Sequence, residues 1–303
     1  MWAVPTGDLL EELWRQQSIW SRCANRMKTR IGRARSVSLA VVVAMAVFGA
    51  LASSLAVAQP QLSRVLAGFA AFMAALLPLL RPGWSGRALR DWTRARSVSE
   101  ALKSEVYLWL ARVENYRDDE RAVLLWEKTD QIRRDGDDLL RHCAEITPEQ
   151  RALPPVHDTV SYFAERVAGQ VHRYYRPKAR ALQSRLRWFR RTELTLAMIA
   201  ALLGALTAVF GGSLLAPWIA VVTTISTAVV VHVAATRDEY QLIEFLRTAD
   251  RLEQLRIRAS GAASSDELNA LAVSAEQVIS IENQGWMAKL AEDVADHKPA
   301  GSN

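Results

Sequence analysis

Charged and apolar positions fall in long alternating blocks along this chain. Residues 194–236 include no formally charged side chain. As one α-helix that stretch would reach roughly 65 Å, about twice the ~30 Å hydrocarbon core of a bilayer. Gly211, Gly212 and Pro217 interrupt it, so the pattern predicts two spans, 194–210 and 218–236, joined by the turn GGSLLAP. A weaker copy lies upstream, where 36–58 and 65–80 flank Gln59, Pro60 and Gln61. The expected fold class is an all-α membrane protein, with four transmembrane helices as two hairpins and long amphipathic cytoplasmic helices.

The blocks between the spans repeat at helical period. Over 7–35, Leu9, Leu10, Leu13, Trp14, Ile19 and Trp20 form an apolar side. Past the first pair of spans, Trp92, Ala95, Val98, Leu102, Val106, Trp109 and Val113 recur at threes and fours, a stripe that needs a partner. A further helix is expected over 120–146 on Val123, Leu124, Trp126, Ile132, Leu139 and Leu140. Pro148, Pro154 and Pro155 then punctuate the chain. Two similar domains are therefore expected, 1–150 and 151–296, with 297–303 a disordered tail. In the second, 158–193 should run into the third span with a kink at Pro177. A helix on Leu242, Phe245, Leu246, Ala249, Leu252 and Leu255 follows the fourth span, and Ser265 should cap a last helix over 266–296.

Charge supplies the orientation. The chain has 303 residues and a net charge of +6, with 38 Lys and Arg against 32 Asp and Glu. Basic residues crowd the approach to the first span (Arg22, Arg26, Lys28, Arg30, Arg33, Arg35), follow the second (Arg81, Arg87, Arg90, Arg94, Arg96) and precede the third, whereas the short inter-span turns hold only Arg64. By the positive-inside rule both termini and the central region are cytoplasmic. Orientation accounts for the basic clusters, so no nucleic-acid partner is expected. Ala56-Val57-Ala58 resembles a signal-peptidase site, but the 35 preceding residues of mixed charge and the long apolar stretch favour an uncleaved span. Cys23 and Cys143 have no CxxC partner and are expected to be buried or idle thiols.

Candidate chemistry concentrates in the spans. Ala200, Gly204, Ala208 and Gly212 lie four apart, as do Ala67, Ala71 and Ala75, and small residues at that spacing let helix backbones approach closely in lipid. Thr223, Thr224, Ser226 and Thr227 can line a water-filled pore or satisfy themselves on their own helix carbonyls. His232 is the one ionisable residue within 194–236, a candidate gate or pH-sensing element or a side chain that snorkels to the interface. Scattered histidines, solvated acidic pairs and the absence of P-loop, GxGxxG and GxSxG motifs give no expectation of an enzyme, a metal or a cofactor.

Individual residues add a resemblance. Tyr162, Glu165, Arg166, Gln170 and Tyr174, then Tyr240, Leu246, Glu276, Glu282, Asn283 and Trp286, are similar to positions of SLATT domains, the DUF4231-like two-span effector domains associated with SMODS nucleotidyltransferases and SLOG sensors. Trp92, Arg94, Ala95, Glu100, Leu102 and Lys103 carry a similar likeness in the first half. The resemblance implies a tandem effector of a bacterial conflict system, homo-oligomeric in the inner membrane, that opens a pore when a separate sensor or nucleotide signal fires. The alternative is a non-conducting membrane scaffold whose cytoplasmic helices recruit partners.

Overall fold

The computed structural model describes residues 6–113, 116–117, 121–210 and 215–296, without the side chains of Thr6, Arg81, Trp84 and 281–296. Gly212 and the 297–303 tail lie outside the described residues, as do the side chains of Glu282, Asn283 and Trp286. Among the described residues there is no strand. The helices are α1 (Thr6–Leu55), α2 (Pro60–Leu80), α3 (Gly86–Leu110), α4 (Arg121–Arg134), α5 (Leu140–Cys143), α6 (Thr159–Tyr162), α7 (Arg176–Phe210), α8 (Ala216–Thr236), α9 (Asp238–Ser260) and α10 (Ser265–Asp296). The chain divides into two compact units, one of Met1–Thr29, Gly86–Ala179 and Ile243–Asn303, the other of Arg30–Ser85 and Arg180–Leu242. Each half of the sequence contributes to both.

The first unit is a polar-surfaced helical bundle. The stripe on α3 buries Trp92, Ala95, Val98, Leu102 and Val106, and α3 packs on α4 and α10. Leu13, Leu125, Leu139, Val167, Val171 and Leu252 complete a core with almost no solvent exposure. Each such leucine or valine contributes about 1.5–3 kcal/mol by leaving water. Segment 147–152 is an ordered strap on α1: Trp14 Nε1 donates to the Ala152 carbonyl at 3.0 Å, and the Glu149 amide donates to Ser18 Oγ at 3.0 Å. Arg151 lies over the Trp14 ring at 3.8 Å and bonds the buried Gln17. Both cysteines are buried as expected. A hydrogen bond with the Cys23 thiol, then burial, pushes the Cys143 thiol well above its ordinary value.

Three expectations need correction here. The helix expected over 120–146 ends at Arg134 and resumes as a short turn at Asp137–Leu139 and α5. The break is at Gly136, where an added Cβ would lie 2.9 Å from Trp20 Cη2 and 3.1 Å from Val98 Cγ2. Leu139 is consequently buried, while Val123, Trp126 and Leu140 are exposed. On α9, Phe245, Ala249 and Leu252 face the core and Leu246 does not. Ser264 rather than Ser265 caps α10: the Glu267 amide donates to Ser264 Oγ at 3.2 Å, and the Glu267 carboxylate accepts from the amide of Ala263, the residue before the cap, at 3.0 Å.

The second unit is made from the apolar blocks. Among the described residues, four helices, α2 and those that hold the apolar parts of α1, α7 and α8, are long and apolar enough to cross a membrane. The end of α1 lies beside α2, with Phe48 and Phe69 rings edge to face at 4.7 Å and Ser63 Oγ donating to the Ala52 carbonyl at 2.7 Å. Beyond the other end of α2, a Cβ on Gly83 would stand 2.8 Å from the Ala34 methyl. Arg237, in the left-handed region at φ 50°, ends α8 before α9 begins. Val65, Phe72, Leu79, Met198, Leu202, Val209 and Phe210 all point outward. An apolar surface of that extent is a liability in water and the ordinary face of a helix in lipid.

Candidate functional site

A buried charge network lies at the centre of the first unit. Asp158 starts α6 with a reciprocal cap on Ser161, and two wide i→i+5 turns follow at Phe163–Val167 and Gln170–Tyr175. Tyr162, Arg166, Gln170 and Tyr174 recur every fourth residue, a row that drifts around a regular helix of 3.6 residues per turn. The wider turns slow that drift and keep the row on one side. Such turns are rare and often accompany functional sites.

Arg166 is almost fully buried. Its Nε and Nη2 donate to Glu276 Oε1 and Oε2 at 2.9 and 3.0 Å, a bidentate pair. Tyr162 Oη donates to the same Oε1 at 2.9 Å. Glu100 Oε2 stands 3.8 Å from Arg166 Nη2, and the guanidinium lies 4.8 Å over the Tyr107 ring. Burial would raise the Glu276 carboxyl, but the Arg166 charge, with hydrogen bonds from Arg166, Tyr162 and Ser104, outweighs it and holds the group below its ordinary value. Burial raises Tyr162 well above the usual phenol range, reinforced by the Glu276 charge. Lys103 is lowered by burial, only partly offset by Glu100.

Beside this network opens a cavity of about 470 Å³. Trp92, Glu100 and Lys103 line it from α3; Glu165, Arg166, Gln170 and Tyr174 line it from the segment after α6. Residues singled out in the two halves of the sequence thus meet at one place. Tyr162 and Glu276 lie behind the wall. Arg94 stands apart, held in a bidentate pair with Asp138 at 2.7 Å and to the Asp135 carbonyl at 2.8 Å, which fixes the turn after Gly136. Tyr107, Arg96 and Lys28 also line the cavity, and the sequence offered no local pattern that would have marked them.

Comparison with known families gives two matches. Residues 162–286 match SMODS and SLOG-associating 2TM effector domain 1 (SLATT), and residues 18–123 match DUF4231, a family described as of unknown function. The chain thus carries one segment that matches SLATT and another that matches DUF4231. No curated protein and no solved structure matches the chain. The SLATT domain is a two-span effector domain associated with conflict systems, and with four membrane-competent helices the chain reads as a membrane protein.

The SLATT match includes α7 and α8, and here the predicted span residues separate. Thr223, Thr224, Thr227 and His232 line a second cavity, about 580 Å³, together with Arg35, Ser38 and Leu77. Ser226 does not line it. Thr223 Oγ1 donates to the Ile219 and Ala220 carbonyls at 3.0 Å, and Thr227 Oγ1 to the Thr223 carbonyl at 2.9 Å. Their donors are satisfied within α8, and acceptor lone pairs remain. His232 is half-buried, its ring 6.0 Å from Phe189. At the foot of α7 and α8, Arg185 pairs with the buried Asp238 at 3.2 Å. Ala67, Ala71, Ala75 and Ala208 are exposed, Ala200 is half-buried, and a Cβ on Gly204 would meet nothing within 4 Å. Among the described residues, the row on α2 and Ala208 on α7 face outward.

Proposed function

We propose that this protein is the membrane effector of a bacterial conflict (anti-phage) system, which oligomerises in the inner membrane and opens a pore when a separate sensor or a nucleotide signal acts on its cytoplasmic helices. The observation that carries this reading is a largely apolar cavity beside the spans into which polar groups also reach, Thr223, Thr224, Thr227 and His232 sharing it with Arg35 and Ser38. An ionisable side chain within a span, here His232, is a candidate element of an ion or proton path by default. The outward-facing small residues support assembly, since Ala67, Ala71, Ala75 and Ala208 allow close approach of a second copy. Both termini are cytoplasmic in this reading, and a conducting path needs several subunits.

One observation favours the anchor alternative: the hydroxyls of Thr223 and Thr227 are already bonded to their own helix. A voltage-sensitive dye after induced expression separates the two. A pore depolarises cells rapidly, and the Thr223→Leu/Thr227→Leu variant, expressed and inserted equally, loses that effect. Equal depolarisation by wild type and variant rejects the threonine-lined path. A scaffold gives no depolarisation with either.

A further inference from the structure

The second unit holds 11 arginines, no lysine and three carboxylates, Glu193, Asp238 and Glu239. The whole chain is only +6, so the surplus of positive charge belongs to the unit that carries the spans. All of these arginines but Arg64 flank the span ends that the charge pattern assigns to the cytoplasm. Orientation needs positive charge of either kind, whereas arginine adds a planar fork that takes a phosphate through two hydrogen bonds.

Arg35 is set apart by its surroundings. It is half-buried and lines the cavity of about 580 Å³ beside the spans. Its Nε is buried with no hydrogen-bond partner. Every carboxylate of its unit is accounted for, and none lines the cavity. Asp238 stands 3.2 Å from Arg185 and acts on Arg35 at longer range, so one carboxylate serves two arginines. Its Oδ2, also without a hydrogen bond, is the atom on Arg185 and not one on the cavity wall. Glu193 and Glu239 are exposed and are not among the charges that act on Arg35. Arg81 and Trp84, whose side chains lie outside the described residues, bring no acid.

Away from Arg35 the walls turn apolar. Leu39 and Val42 continue along α1, with Leu77 from α2 and Ala228 and Val231 from α8. Thr223 and Thr227 spend their hydroxyl protons on their own helix, so that part of the wall donates nothing. Val231 is 61% exposed, which leaves the cavity open on the side that meets lipid. Arg35 and Val42 are roughly 10 Å apart along the helix. A cation thus stands at one end of a hydrocarbon slot.

We propose that this cavity binds an anionic phospholipid, with the phosphate on Arg35 and one acyl chain along Leu39, Val42 and Val231. A free phosphate would leave the apolar walls uncovered, and a neutral lipid would leave Arg35 unmatched. Basic pockets between spans on the cytoplasmic side are where acidic headgroups are held. In the pore account, on which this consequence alone rests, a bound chain keeps water out of the cavity and must leave before ions pass.

The test uses the full chain in maltoside micelles, titrated with phosphatidylglycerol or with phosphatidylcholine of the same chains. Bound lipid is counted by native mass spectrometry. Phosphatidylglycerol should be held about tenfold more tightly, and glycerol phosphate in large excess should not displace it. Arg35→Met should abolish that preference, and Ala228→Trp, which fills the slot, should weaken binding of both lipids about tenfold. Both variants should keep native circular dichroism and elution. Arg191→Met removes an exposed arginine outside the cavity and should change the preference less than about twofold. The proposal is overturned by equal retention of the two lipids, by a preference indifferent to Arg35→Met, or by binding indifferent to Ala228→Trp. An equal loss in Arg191→Met would mark general surface charge, and displacement by glycerol phosphate an adventitious anion only; either also overturns it. Should one variant fail to fold, the lipid comparison on wild type and the other variant still decide. Conduction is not read in this assay, so loss of the pore account leaves the result standing.

Discussion

Replacing Glu276 by Gln keeps the shape of the side chain and removes its charge, leaving the Arg166 guanidinium buried with a weaker partner. At about 3 Å and an effective dielectric near 20, two unit charges attract by roughly 5 kcal/mol. Truncating one member of a buried pair typically costs about 3–5 kcal/mol, because the survivor keeps its desolvation penalty. Glu100, 3.8 Å from Nη2, retains part of the compensation, and Gln can still accept from Tyr162. The loss should therefore fall near the lower end, about 3 kcal/mol. Urea unfolding of the full chain in micelles, followed by tryptophan emission, reads this unit, since Trp14, Trp20 and Trp92 are all buried in it. The paired variant Arg166→Met/Glu276→Leu removes both charges and should cost less than Glu276→Gln alone. A Glu276→Gln variant within about 1 kcal/mol of wild type would refute the reasoning, showing the pair to be effectively solvated.

The same carboxyl sets a pH dependence. Glu276 is held below its ordinary value in the folded state, so its stabilisation is present above the unfolded pKa of about 4.3 and is lost as pH falls through the lower folded value; below about pH 4 wild type should lose stability more steeply than Glu276→Gln. Gly136→Ala should destabilise by about 1–3 kcal/mol, since its Cβ meets Trp20 at 2.9 Å, measured by the same urea titration. Leu102→Ala, at a fully buried position, should cost about 2–5 kcal/mol. Cys143, its thiol held protonated by Cys23 and burial, should resist a thiol-reactive chromophore at pH 8 until urea unfolds the unit; prompt labelling of folded protein would contradict its burial.

Elements governed by local period were legible in the sequence, and those set by long-range pairing were not. The α3 stripe was readable because Trp92, Ala95, Val98, Leu102 and Val106 recur at helical spacing and all turn inward. The apolar blocks were readable because uncharged length is a direct constraint in lipid. Gly136 went unread as a break because it lies among Asp135, Asp137 and Asp138, where charge hides a turn. Its reason, the approach of Trp20, is 116 residues away in sequence. The Ser264 cap was missed by one residue, as helix ends commonly are. For the candidate site, Arg166 and Glu276 were noticed as separate likenesses 110 residues apart. Nothing local in either says that one buries the other, and the wide turns that align Tyr162 with Arg166 have no composition signal. Arg96 and Tyr107 read as ordinary members of a charged helix until the fold puts them on one wall.

The central claim is that several copies of these spans together conduct ions. Ion flux from liposomes reconstituted at increasing copies of the purified protein per vesicle tests it most directly, since density favours assembly by mass action. The account predicts flux that rises more steeply than in proportion to copy number and falls away with Thr223→Leu/Thr227→Leu. Flux strictly proportional to copy number would mean that a single chain conducts, and no flux at any density would mean that the spans only anchor; either contradicts the account.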